Sequence, residues 1–190
     1  MSITTKQTLI AFAVGLACTS GFAAQAEGST ATSASAESPH HYGFGTNVGP
    51  EELKQFVSPL PDGRGLPKGS GTVMQGEKLY TQQCLACHGA NLEGGIGDRL
   101  IGGRGTLAAK SGPPVKTVES YWPYSTTLFD YVKRAMPFTS PNSLSNDEVY
   151  ALTAYILYKA NIVPQDANMN QDTLAKVKMP NRDGFKPADR

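Results

Sequence analysis

Apolar residues recur at helical spacing most clearly at Val149, Leu152, Tyr155 and Ile156, with Lys159 on the same run. Ser145-Asn146-Asp147-Glu148 opens this helix as a capping box, the Ser and Glu side chains each satisfying a free backbone N–H of the other. Pro164 stops it. A second amphipathic helix is predicted from about Thr126 to Ala135, on the stripe Leu128, Phe129, Val132 and Ala135. A third is predicted from about Met74 to Cys84, turning Leu79 and Tyr80 inward, with Gly76 four residues before Tyr80. Pro50, followed by Glu51 and Glu52, begins a short helix with Leu53, Phe56 and Val57 on one face. Helices are the regular elements this pattern supports, and the expected fold class is all-α.

The intervening segments differ in kind. Residues 60–71 are rich in glycine and proline and read as a loop without regular structure. Gly89 to Gly112 is glycine-rich yet punctuated by Leu92, Ile96, Leu100, Ile101 and Leu107. Such a stretch buries little surface by itself. It makes sense where a flat ligand supplies the core, the backbone must approach it closely and those aliphatic side chains touch its edge.

The first residues read as a secretory signal. Lys6 supplies a positive charge, Leu9 to Leu16 an apolar core, and Ala24-Gln25-Ala26 a small-x-small cleavage site. The segment is too short and interrupted for a membrane span. Cleavage before Cys18, leaving a lipidated cysteine, is the alternative, but Gly15-Leu16-Ala17 lacks the branched residue usual three positions upstream. Glu27 to Pro39, rich in Ser, Ala and Thr, reads as a tether. The expected organisation is a signal over 1–26, a tether with a short helix and loop over 27–71, a domain over 72–164 and a polar tail over 165–190. The tail has too few apolar residues to fold alone. Either Met179, Pro180 and Phe185 dock it, on the domain or on a partner, or it is a loose terminus.

Charge excludes more than it suggests. With 17 basic and 16 acidic residues, nothing favours nucleic acid or an anionic lipid surface.

The chemistry concentrates in Cys84-Leu85-Ala86-Cys87-His88. Cys-x-x-Cys-His is the attachment site of a c-type haem. Its two thiols add to the haem vinyl groups as thioethers, and the histidine lies within reach of the iron. A redox disulfide would need a βαβ context, and zinc would need more donors at ligand spacing. Outside the motif only His40 and His41 remain, in a polar stretch. Haem attachment outside the cytoplasmic membrane agrees with the export signal. One covalently attached haem c is therefore the expected cofactor.

With His88 as one axial ligand, Met74, Met136, Met169, Met179, His40 and His41 are candidates for the other. Met136 stands out by position. It ends the second helix, Pro137 turns the chain after it, and it lies 48 residues beyond His88, enough chain to pass around a ring. Met179-Pro180 repeats the dipeptide in the tail. A buried packing role for Met136 is the bland alternative. Thioether ligation raises the potential, and a six-coordinate iron has no open position, which favours electron transfer over catalysis. A backbone carbonyl between Gly94 and Leu100 is expected to accept from the other imidazole nitrogen. Arg104, Lys116, Tyr121, Trp122 and Tyr124 are candidate propionate donors, with Arg104 and Trp122 preferred.

These residues resemble class I cytochromes c. The agreement covers Gly76 to Tyr80, Cys84 to His88, Leu100, Met136-Pro137 and the Leu152–Ile156 helix. The resemblance implies that the first and last helices cross at Gly76, Tyr80 and Tyr155, and that Leu100 packs on the haem. The proline that often precedes that leucine is replaced by Asp98-Arg99. A narrower resemblance covers the glycine-rich residues 61–71, KTVESYWPY at 116–124, Thr127 to Tyr131, Arg134 to Phe138, the Glu148–Ile156 helix and KMPNRDGF at 178–185. It is to the haem subunit of the sulfane dehydrogenase of the Sox sulfur-oxidising system and to cytochrome subunits of sulfite dehydrogenases. This implies a periplasmic, non-catalytic electron-transfer subunit, with a molybdenum-cofactor dehydrogenase subunit and an acceptor cytochrome as partners. A self-sufficient haem oxidoreductase acting on thiosulfate or peroxide, and a free periplasmic shuttle, are the rival expectations.

Overall fold

The computed structural model describes residues 44–53 and 58–187. The signal, the tether, Cys18, His40, His41, Phe56 and Val57 lie outside the described residues. The chain divides into two units, Met1–Thr46 and Asn47–Arg190, and every element below belongs to the second. In order these are α1 (Pro50–Leu53), β1 (Ser70–Thr72), α2 (Val73–Gln83), α3 (Leu85–His88), a 3-10 turn at Thr106–Ala108, α4 (Ser125–Ala135), α5 (Asn146–Lys159), β2 (Asn168–Asn170) and a second 3-10 turn at Leu174–Lys176. Helices dominate, as the fold class requires.

Both long terminal helices begin with capping boxes. Ser145 and Glu148 cap α5 as the sequence indicates. Thr72 and Gln75 do the same for α2, in a T-x-x-Q pattern. α4 starts without a side-chain cap, at Tyr124. Its placement comes instead from burying Leu128, Phe129 and Val132.

The core is the crossing of α2 and α5. A methyl group on Gly76 would fall onto the Ala151 carbonyl and 2.7 Å from Tyr155 Cβ, so only glycine lets the two backbones touch. Gly71 in β1 meets the backbone of Ala151 in the same way. Tyr80 packs on Tyr155 with ring centroids 5.3 Å apart, and Phe129 of α4 packs on Tyr150 at 4.5 Å. Tyr150 Oη donates to the Pro67 carbonyl at 2.8 Å, tying the loop before β1 to α5.

The tail is part of this core. β2 pairs antiparallel with β1, Gly71 opposite Met169, and Met169, Leu174 and Met179 are all buried. Ser125 Oγ donates to the Leu174 carbonyl at 2.6 Å, and Asn181 Nδ2 to the Tyr121 carbonyl at 2.6 Å. Phe185 meets Tyr121 edge-on at 5.3 Å, and the Arg182 guanidinium lies 4.2 Å from the Tyr124 ring centroid. The two strands are three residues each, too short to show a two-residue alternation in the sequence.

Two outcomes test this packing. Gly76→Ala forces α2 off α5 at a cost of about 3 kcal/mol, against about 1 kcal/mol gained in helix propensity. Urea unfolding is expected to show a net loss of about 2 kcal/mol. Burial, and then the charge of Asp172, push Tyr150 up from 10.0 to about 12. Below pH 10 its proton is held in both states. Between pH 10 and 12 the unfolded chain ionises while the folded one does not, so stability is lost as pH rises. Tyr150→Phe is expected to lose less stability than the parent protein across that window, while starting about 1 kcal/mol lower for want of the hydrogen bond to Pro67.

Candidate haem-binding site

α2 ends at Gln83, and Cys84 closes it by donating its N–H to the Tyr80 carbonyl at 2.9 Å. One further turn, α3, then carries Cys87 and His88, with the His88 N–H on the Cys84 carbonyl at 2.9 Å. Gly89, at φ +80°, ends that turn. Tyr80 Oη donates to the Gly89 carbonyl at 2.7 Å, so the buried helix crossing holds the whole pentapeptide. Cys84 is half-buried and Cys87 exposed, and both are free thiols. Burial, with the neighbouring Cys87 second, pushes the Cys84 thiol up to about 11.

His88 is oriented by a single strong contact. Its Nδ1 lies 2.7 Å from the Asp98 carbonyl oxygen. A carbonyl can only accept, so the proton sits on Nδ1 and the lone pair on Nε2 is left available to a metal. Asp98 falls inside the Gly94–Leu100 stretch from which an accepting carbonyl is expected. The loop is shaped to bring it there. Gly94 donates to the His88 carbonyl at 2.8 Å and Gly97 to the Cys87 carbonyl at 2.9 Å. A methyl on Gly97 would stand 2.9 Å from His88 Cε1 and 3.0 Å from Nδ1, so the imidazole packs against bare backbone.

Met136 sits just past the end of α4, in extended conformation, with its N–H on the Val132 carbonyl at 3.1 Å. It is half-buried against the core. Leu100 is half-buried too and is held on both sides, donating to the Leu92 carbonyl at 2.9 Å and accepting from Val118 at 3.0 Å. Trp122 packs edge-on against Tyr131 at 5.6 Å. Arg104 is engaged by protein: its Nη2 lies 3.3 Å from Glu119 Oε2 and donates to the Ala160 carbonyl. Among the other candidates, Met74 is exposed, while Met169 and Met179 are buried in the core. Lys116 reaches over the Tyr121 ring. Of the aliphatic residues in the glycine-rich stretch, Leu92 is buried in the core and Ile96 is 94% exposed.

The residues present fit a haem. Two free thiols and an imidazole with its lone pair directed by a carbonyl share one helical turn. Cys84, Leu85, Leu100, Ile101, Trp122 and Met136 are apolar groups that the polypeptide covers only in part. The candidate donors, an imidazole nitrogen and a thioether sulfur, are of the types that hold haem iron. Among the described residues no group of three or more His, Cys, Asp or Glu is placed to hold a metal ion. The sequence narrows the accepting carbonyl to the Gly94–Leu100 stretch without singling out Asp98, and it leaves Gly97 and Glu119 without a role, because a bare backbone and a buried carboxylate carry no local signal. Gly97→Ala is expected to drive the imidazole off the Asp98 carbonyl, worth about 1 kcal/mol, and the ¹⁵N shifts of the His88 ring report it directly.

Residues 71–156 match the family described as cytochrome c oxidase, cbb3-type, subunit III. A chain in the crystal structure of the sulfane dehydrogenase SoxCD from Paracoccus pantotrophus is similar at 43% identity and a TM-score of 0.71. The match covers 79% of this chain and 74% of that one. Thiosulfate dehydrogenases of Allochromatium vinosum and Stutzerimonas stutzeri are 31% identical over 84 residues and 25% identical over 118 residues. Those matches span 44% and 60% of this chain, but only 30% and 35% of the two enzymes' lengths. The motif at the end of α2, the glycine-mediated crossing of the first and last long helices and these likenesses agree: the chain belongs to the class I cytochromes c, a family of haem electron carriers.

Proposed function

We propose that this protein is an exported single-haem electron-transfer subunit in sulfur oxidation. In this reading Cys84 and Cys87 hold one haem c through thioether bonds, and His88 Nε2 and Met136 Sδ are the two protein donors to its iron. Bound haem supplies a reversible one-electron couple. The chain's residues do the rest. The Asp98 carbonyl fixes the ring and basicity of His88, a thioether at Met136 favours the reduced metal, and Leu100 and Trp122 contribute apolar surface that keeps water away. Arg104, occupied by Glu119 and Ala160, offers a propionate only what remains of its donors.

The observation that carries this reading is the pinned imidazole of His88 beside two free thiols. The likeness to a chain of SoxCD supports the place in metabolism. From it, and from the tail and KTVESYWPY run, follows the partner class: a molybdenum-cofactor sulfane or sulfite dehydrogenase subunit as donor, and a downstream cytochrome as acceptor. Export to the periplasm rests on the signal read in the sequence. No helix among the described residues is long and apolar enough to cross a membrane.

The thiosulfate dehydrogenase likenesses favour a second reading, catalysis on thiosulfate by the cytochrome itself. It needs a metal position that substrate can reach, whereas two protein donors leave none. Carbon monoxide or cyanide added to the purified holoprotein separates the two, since no fast spectral change is expected. Met136→Ala is expected to abolish the thioether-to-iron charge-transfer absorption of the oxidised protein. Its midpoint potential should fall, within the ~0.8 V range that axial ligands command. Reduction by sulfite or a sulfane substrate is expected only with the molybdenum subunit present. An unchanged spectrum and potential in Met136→Ala would reject the ligand assignment.

A further inference from the structure

Thr117, Val118, Glu119 and Ser120 are four consecutive buried residues in a segment with no regular structure, and three of them are polar. Burial of polar groups on this scale is costly unless each is bonded. Here each is. Ser120 Oγ accepts from the Thr117 N–H at 2.9 Å and donates to the Val115 carbonyl at 2.6 Å. The Thr117 hydroxyl accepts from the Ser120 N–H at 3.2 Å and donates to the Gly102 carbonyl at 2.7 Å. The result is a rigid turn with one carboxylate, Glu119, projecting from it.

That carboxylate grips the other side of the glycine-rich loop. Glu119 Oε1 accepts from the Gly102 N–H, and Oε2 pairs with Arg104 at 3.3 Å. With the Thr117 and Val118 bonds, Leu100 and Gly102 are laced to the buried turn by three hydrogen bonds. Two residues upstream is Asp98, whose carbonyl holds His88. Residues 95, 96, 98 and 99 are exposed, so no packing fixes the direction of that carbonyl. It is set by the short bonds to Cys87 and His88 on one side, and on the other by the bonds of Arg99 to the Glu93 carbonyl and of Leu100 to the Leu92 carbonyl together with the lacing to 117–119.

We infer that Glu119 is a positioning residue for His88: by clamping Gly102 and Arg104 to the buried turn it holds the Asp98 carbonyl where it orients the imidazole. The inference rests on the reading of His88 as an iron ligand. A charge-assisted hydrogen bond to a partly buried backbone N–H is among the stronger kind, so its loss should be felt along the loop.

Two conservative variants of the full-length holoprotein separate position from charge. Glu119→Asp keeps the charge but draws the carboxylate back from Gly102. Glu119→Gln removes the charge but leaves an amide oxygen able to accept from Gly102. In the reduced, diamagnetic protein, solvent exchange of the His88 Nδ1–H is followed by NMR, with the Gly102 amide as an internal reporter. Glu119→Asp is expected to speed both exchanges about tenfold, and Glu119→Gln about threefold, since glutamine keeps the bond to Gly102 but without its charge. A midpoint potential that moves in the aspartate variant by more than in the glutamine variant is expected to accompany this, since the ligand's basicity is what changes. Equal exchange at His88 in Glu119→Asp and the parent protein, or a larger effect from glutamine than from aspartate, overturns the inference. Because the glutamine variant retains the loop bond, it keeps the comparison open if the aspartate variant matures poorly: a tenfold rise there also overturns the role assigned to position. Failure of the ligand reading shows separately, as His88 ring protons without a haem ring-current shift in the parent protein.

Discussion

Backbone contact between α2 and α5 is the constraint on which the rest of the molecule depends. Gly71 and Gly76 leave the Ala151 peptide nowhere to be displaced, so the first long helix has a fixed position along the last. The consequence is positional: α2 ends at Cys84, and the turn that carries Cys87 and His88 continues from it. Tyr80 links the two, packing on Tyr155 on one side and donating to the Gly89 carbonyl on the other. Any side chain at Gly76 would move the candidate site together with the helix.

Around this frame the site is built from loops, and backbone groups do most of its orienting. The imidazole is set by a carbonyl, the carbonyl by a short glycine loop, and the loop by a buried polar turn. Glycines serve two different purposes here. At Gly97 the need is space, since a methyl group would collide with the His88 ring. At Gly89 and Gly94 the need is a positive φ, where other side chains are strained. Leu92 also takes φ +61° and is fully buried, so its burial offsets the strain of a left-handed leucine.

The tail docks on the domain through Met179 and Phe185, one of the two readings its composition left open, while its Met169 and Leu174 contacts were not foreseen. Its residues are mostly polar, and read alone they cannot fold. Three apolar side chains spaced along it, Met169, Leu174 and Met179, nevertheless enter the core. Two arrive with β2 and a 3-10 turn, and the third is followed by the Asn181 bond to Tyr121. A single turn or a three-residue strand has no period to detect. What such a segment buries depends on the surface it meets.

Much of the helical frame was legible in the sequence, because repeated apolar spacing and capping chemistry are local properties. α4 and α5 begin within one residue of expectation, and α2 begins one residue earlier, behind a Thr72–Gln75 box that the same rule would have found. The two thiols and the histidine were legible as residue types, since haem attachment needs those side chains at that spacing, whereas Met136 stood out only by its position after a helix. Other features were not. That Asp98 supplies the carbonyl, that Arg104 is taken up by Glu119 and Ala160, and that Ile96 stands 94% exposed are all set by loop geometry. The chain by itself determined which groups could hold a cofactor and which stretches would be helical, through chemistry written in neighbouring residues. Only the tertiary structure decided which backbone groups orient them, because a carbonyl has no identity in the sequence until packing turns it toward a partner.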